Sequence, residues 1–191
     1  MPNHFQKLLL LVFVVLVFQG NVQAQTSRKN IMACNSRLEN AVLQWVKIQN
    51  VKTLRLPAKE GMAKLPLKYS VYTINNLALK KYLMSLKAKP GNIVLPVGGD
   101  QQCIKMYVSN SGTMSAGLAA KFPQLVSLKG NGVQDKSATV RLDYDGATLN
   151  AEIISGGVSY IIKPWKKGST IYYLLYRKED SGIERKPLNE R

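Results

Sequence analysis

The sequence predicts an α+β domain: a mostly antiparallel sheet built from hairpins, with two or three short helices, placed after an N-terminal signal peptide. Three observations lead there. Gly-Gly-Asp and Asp-Gly turn signals separate runs of β-branched and aromatic residues. Helical periodicity falls mostly in the first half of the chain. The first 24 residues have the layout of an export signal.

That signal starts with Lys7 and continues as eleven consecutive apolar residues, Leu8 to Phe18. Small residues around Val22-Gln23-Ala24 place cleavage between Ala24 and Gln25. The apolar run is short for a bilayer span, which takes about 20 residues; an uncleaved anchor is the alternative. Residues 25–191 would then form one domain of ordinary size with an N-terminal appendage. The expected division is 1–24 signal, 25–64 helix and basic connector, 65–178 folded domain, and 179–191 charged tail.

Each element has its own reason. Ser36 and Glu39 have capping-box spacing, and Leu38, Ala41, Val42, Trp45 and Ile48 follow as one helical stripe. Leu67 to Thr73 alternates as a strand. Asn76 is positioned to cap a second helix whose Leu79, Tyr82, Leu83 and Leu86 share a face, and Pro90-Gly91 ends it. Asn92 to Val97 and Gln101 to Val108 flank Gly98-Gly99-Asp100 as a hairpin. A helical turn over Ser115 to Phe122 stops at Pro123, and Leu125 to Leu128 is a strand. Gly130-Asn131-Gly132 reads as a turn, because it lacks the helix and lysine of a phosphate loop. Ala138 to Tyr144 and Thr148 to Ile154 flank Asp145-Gly146-Ala147, a second hairpin. Gly156-Gly157 leads into Val158 to Ile162, and Ile171 to Tyr176 is the last strand.

Composition narrows the chemistry. The single histidine, His4, lies in the signal, so residues 25–191 hold no Ser-His-Asp or Cys-His device and no imidazole for zinc. Cys34 and Cys103 are the only cysteines. Paired, they would close a loop of about 70 residues and stabilise by ~4 kcal/mol; unpaired, they would be buried thiols. Asp143 and Asp145 stand two apart, but Asp145 belongs to an Asp-Gly turn, which explains it without a glycosidase-type pair. The reading is therefore of a non-enzyme without cofactor or metal.

The net charge is +16, or +15 once Lys7 is removed. In an exported chain this favours lipopolysaccharide, acidic polysaccharide or an acidic protein over nucleic acid, unless the lysines simply keep the surface solvated. Lys163, Trp165, Lys166 and Lys167, among Tyr160, Tyr172, Tyr173 and Tyr176, form the candidate anionic-ligand surface. Core packing of those aromatics is the alternative.

An ordered series of motifs runs through the second half. It comprises Leu118-Ala119-Ala120-Lys121-Phe122-Pro123, Gly130-Asn131-Gly132-Val133-Gln134-Asp135, Ala138-Thr139-Val140-Arg141-Leu142-Asp143 and Ile162-Lys163-Pro164-Trp165. Leu95-Pro96-Val97, Ser111 and Met114 precede it. The series resembles the N-terminal propeptide region of secreted reprolysin-like zinc metalloproteases of Bacteroidetes-type bacteria, over roughly residues 65–178. The resemblance implies an exported module, periplasmic or extracellular, that inhibits or chaperones such a protease, here in trans because no catalytic domain follows. It implies a structural role for Leu118, Ala120, Phe122, Pro123, Gly130, Gly132, Asp135, Thr139, Arg141, Asp143 and Pro164. Asn110, Lys136, Asn150 and Lys163 depart from the family pattern. The competing expectation is a cell-envelope or anionic-glycan binding module.

Overall fold

The computed structural model describes residues 32–33, 43–54, 65–98 and 102–181. Their strands form one antiparallel sheet. In chain order these are β1 (Met32–Ala33), β2 (Val46–Lys47), β3 (Ser70–Thr73), β4 (Gly91–Pro96), β5 (Gln102–Asn110), β6 (Val126–Gly132), β7 (Thr139–Tyr144), β8 (Leu149–Ser155), β9 (Val158–Lys167) and β10 (Thr170–Arg177). From β4 to β10 every strand pairs with its chain neighbour. The sheet then continues from β10 to β3 and β2. β1 meets β5 at Cys103, extending the line of β6. Among the described residues two α-helices, α1 (Asn76–Ala88) and α2 (Ala116–Lys121), and two single-turn 3-10 helices (Val51–Leu54 and Lys178–Ser181) accompany the sheet. No described helix is long and apolar enough to cross a membrane.

Period-two alternation sets the two faces. Ile104, Met106 and Val108 of β5, Val140, Leu142 and Tyr144 of β7, and Leu149, Ala151 and Ile153 of β8 point inward. They meet Leu79, Leu83 and Leu86, the buried stripe of α1. On the outer face the β9–β10 end is covered by a second apolar cluster of Trp165, Leu174 and Tyr176 with Leu65 and Tyr69 against it.

The sheet curls into a half-barrel, and side chains close its open side. Trp45 immediately precedes β2 at one end of the sheet. Its indole N–H donates to the Val94 carbonyl of β4, at the other end, at 3.0 Å. Its ring meets Tyr173 and Tyr72 edge-on, with centroids 5.3 and 6.4 Å apart. The Tyr82 hydroxyl of α1 donates to the Asn92 carbonyl, the next one along the same edge of β4. A bare strand edge templates association with other chains, and here two aromatic side chains occupy it.

Three expectations need correction. The stripe ending in Trp45 and Ile48 is not helical there: Val46–Lys47 is a strand paired with Thr73 and Tyr72. Residues 34–42, with Ser36 and Glu39, lie outside the described residues. Asn75, not Asn76, caps α1, its side chain accepting from Ala78 N at 3.0 Å. Asn76 instead accepts from the Tyr173 hydroxyl at 2.9 Å. Gly130-Asn131-Gly132 is strand, not turn. A Cβ on Gly130 would lie 2.0 Å from the Tyr107 carbonyl oxygen, and one on Gly132 2.2 Å from that of Asp135. These glycines allow close backbone approach, one of the recognised uses of glycine inside a strand. The mostly antiparallel sheet is as expected, and the described residues hold two α-helices, one of three turns and one short.

Burial pushes the Tyr173 hydroxyl up to about 12. The unfolded chain therefore ionises first, near the ordinary tyrosine value of about 10. Stability that is full below that value is lost as pH rises through it towards the folded value. Burial also raises Tyr82, Tyr144 and Tyr176. Denaturant midpoints are expected to fall above about pH 10, and less steeply in Tyr173→Phe, which has one fewer buried phenol to ionise.

Candidate partner-binding rim

The sequence places short polar residues between β5 and β6, and they build an arch over one rim of the sheet. Asn110 Oδ1 accepts from Gly112 N at 3.0 Å, and Gly112 takes a φ of 72°. Ser115 caps α2, accepting from Leu118 N at 3.4 Å. Pro123 follows the helix and forbids its continuation. Lys87 of α1 then clamps the far end, donating to the Pro123 and Leu125 carbonyls at 2.8 and 2.9 Å.

The arch holds α2 clear of the core. α2 has no buried residue; Leu118 is 44 % exposed and the adjoining Phe122 41 %. Beneath the arch a chain of hydroxyls ends on a carboxylate. Ser111 Oγ donates to Ser127 Oγ at 3.0 Å, and Ser127 Oγ to Asp143 Oδ1 at 2.7 Å. Thr113 shares a 2.8 Å bond with Ser111. A cleft of about 250 Å³ opens there, bordered by Thr113, Met114, Leu125, Asp143, Asp145 and Asn150.

Asp143 and Asp145 both border the cleft, with different duties. Asp145 Oδ1 accepts from the Ala147 and Thr148 backbone N–H groups at 2.8 and 2.5 Å, and Oδ2 from the Thr148 hydroxyl at 2.8 Å. Burial pushes the Asp145 carboxyl up; those donors and the Lys166 charge outweigh it and hold the carboxyl below its ordinary value. The donors of its own turn thus occupy both oxygens, as expected of an Asp-Gly turn. Asp143 is exposed, with Arg141 Nε 3.9 Å away, a surface pair of little energetic weight.

Protein-family models, characterised proteins and solved structures yield no match to this chain. The site rests on its own geometry.

That geometry gathers some of the sequence-derived residues and disperses others. Ser111, Met114, Asp143 and Asn150 converge on the rim cleft or its hydroxyl chain. Leu118, Ala120, Phe122 and Pro123 stand exposed beside it. Asp135 turns the β6–β7 connection, accepting from Ser137 N and Oγ at 3.1 and 2.5 Å. Thr139 and Arg141 lie on the outer face, and Pro164 is half-buried in β9 opposite Tyr173.

The proposed anionic-ligand surface does not exist as one surface. Trp165 is 2 % exposed and is the centre of the outer cluster. Alternation puts Lys163 and Lys167 on its face of β9 and Lys166 on the other. Lys167 donates to the Leu54 carbonyl at 2.5 Å. Cys103 is fully buried and disulfide-bonded; Cys34, Ala24 and Gln25 lie outside the described residues. Among the described residues, no three His, Cys, Asp or Glu side chains gather where they could hold a metal ion.

Proposed function

We propose that the chain is an exported, non-catalytic, propeptide-like domain that binds a reprolysin-type zinc metalloprotease in trans, inhibiting or chaperoning it through the α2 rim. The exposure of α2 carries this reading. Leu118 to Pro123 opens the motif series that resembles those propeptides, and the fold leaves this segment outside its own core. Two exposed apolar side chains on a clamped helix are the raw material of an interface anchor. Residues 25–191 contain no histidine, which favours work by surface contact.

The test uses residues 25–191 with a reprolysin-type zinc protease, reading cleavage of a peptide substrate and the yield of active protease after refolding. The wild-type domain should slow cleavage or raise the yield. Leu118→Asp with Phe122→Asp should weaken that effect by about tenfold or more, as loss of an interface anchor does. The fold should survive, because neither side chain belongs to the core. An unchanged effect in the double variant would remove α2 from the interface. No effect of the wild-type domain on either readout would end the reading.

A further inference from the structure

On the outer face Tyr107 of β5, Lys129 and Asn131 of β6, and Thr139 and Arg141 of β7 are exposed, and the register lines up two rows of unlike chemistry. Asn92 of β4 pairs with Tyr107 of β5, Tyr107 with Asn131 of β6, and Asn131 with Thr139 of β7. This row offers amides, a hydroxyl and one aromatic ring that is 53 % exposed. In the next row Ser109 pairs with Lys129, and Lys129 with Arg141. Both cations are exposed.

Like charges directly opposite on neighbouring strands repel. Arg141 has partial relief from Asp143 at 3.9 Å, and its other cross-strand neighbour is Glu152. Glu152, however, accepts from Lys178 at 2.7 Å and from Ser159 at 2.9 Å. Lys105 adds a further cation on the same face of β5, two residues from Tyr107.

We propose that this face is a platform for an acidic polysaccharide chain bearing carboxylates, a polyuronate in chemical class, running across the strands. Successive strands lie about 4.8 Å apart, close to the length of one sugar unit, so Lys129 and Arg141 can each meet a carboxylate of a chain laid across them. The ring face of a sugar stacks on Tyr107, and its hydroxyls reach Asn92, Asn131 and Thr139. Single-stranded nucleic acid fits less well. Platforms for it stack successive bases on several aromatics, and Tyr107 is the sole aromatic on the outer face of β4–β8 among the described residues. The platform does not involve α2 and stands independently of the protease reading.

Affinity electrophoresis of residues 25–191 through polygalacturonate tests it, with dextran as the neutral control and a single-stranded oligonucleotide as the competing polyanion. Polygalacturonate should retard the protein and dextran should not, with retardation falling as salt rises. Lys129→Gln with Arg141→Gln should weaken binding about tenfold, and Tyr107→Ala by several-fold. Lys80→Gln with Lys81→Gln removes the same charge from the exposed side of α1 and should change binding by less than about twofold. Equal weakening by the two lysine-containing pairs would reduce the effect to net charge and overturn the platform. Absence of retardation would do the same. Tighter, platform-dependent binding of the oligonucleotide would overturn the polysaccharide assignment.

Discussion

Trp45→Ala is expected to lower the free energy of unfolding by about 3–5 kcal/mol, the range for removing a large buried aromatic. Three contributions disappear together. The indole is almost fully buried in the main core. It makes edge-on contacts with Tyr72 and Tyr173, the cross-strand pair where β3 joins β10. It also supplies the donor for the Val94 carbonyl on the free edge of β4. Trp45→Phe separates the last from the others: it keeps a ring in place and leaves the carbonyl without its donor, so it should cost about 1–2 kcal/mol. Urea unfolding of both variants checks this, with the midpoint and slope read separately. A loss below about 1.5 kcal/mol in Trp45→Ala would mean that other contacts close the half-barrel.

Gly130→Ala should be of similar size, at least about 3 kcal/mol, at the upper end for overpacking. The added carbon would sit 2.0 Å from the Tyr107 carbonyl oxygen, and the obstacle is backbone rather than a side chain that could swing away. Strands β5 and β6 would have to part where five consecutive residue pairs join them. Gly117→Ala is the matching control. Nothing lies within 4 Å of a Cβ there, and the residue is in α2. Alanine in a helix is favoured over glycine by about 0.5–1 kcal/mol, so this variant should be neutral or slightly stabilised. Thermal midpoints of the two side by side distinguish a close approach from a general intolerance of alanine.

Local signals in the sequence locate most of the fold. Asp145-Gly146 marks its hairpin because Asp145 can satisfy the turn by itself. The α1 stripe is visible because Leu79, Leu83 and Leu86 recur with the helical period. What escapes local reading depends on partners far along the chain. Gly130-Asn131-Gly132 looks like a turn until the β5 backbone lies against it. Read as a loop, it also hides the register that sets Lys129 beside Arg141 and Tyr107 beside Asn131. Trp45 continues a helical period that the chain does not follow, because β3 offers Val46 and Lys47 a strand to pair with.

The candidate site was half legible for the same reason. The motif series that resembles the propeptides includes Ser111, Met114 and Asp143, but it does not show that Lys87 clamps the arch above them. Period two alone separates Lys166 from Lys163 and Trp165, and extending β9 to Lys167 makes that separation visible.

The pairing order also fixes a timetable. β4 to β10 form a zipper in which each strand finds its partner within a short stretch of chain, so loop closure is cheap at every step. The seam between β3 and β10 joins positions about a hundred residues apart, so its loop closure costs more than any of those steps. During synthesis β3 therefore emerges early and waits for the final strand. A product truncated before Thr170 would never form the seam: β9 and β3 would both show bare edges, Trp45 would lack Tyr173, and self-association would be the foreseeable fate of such fragments.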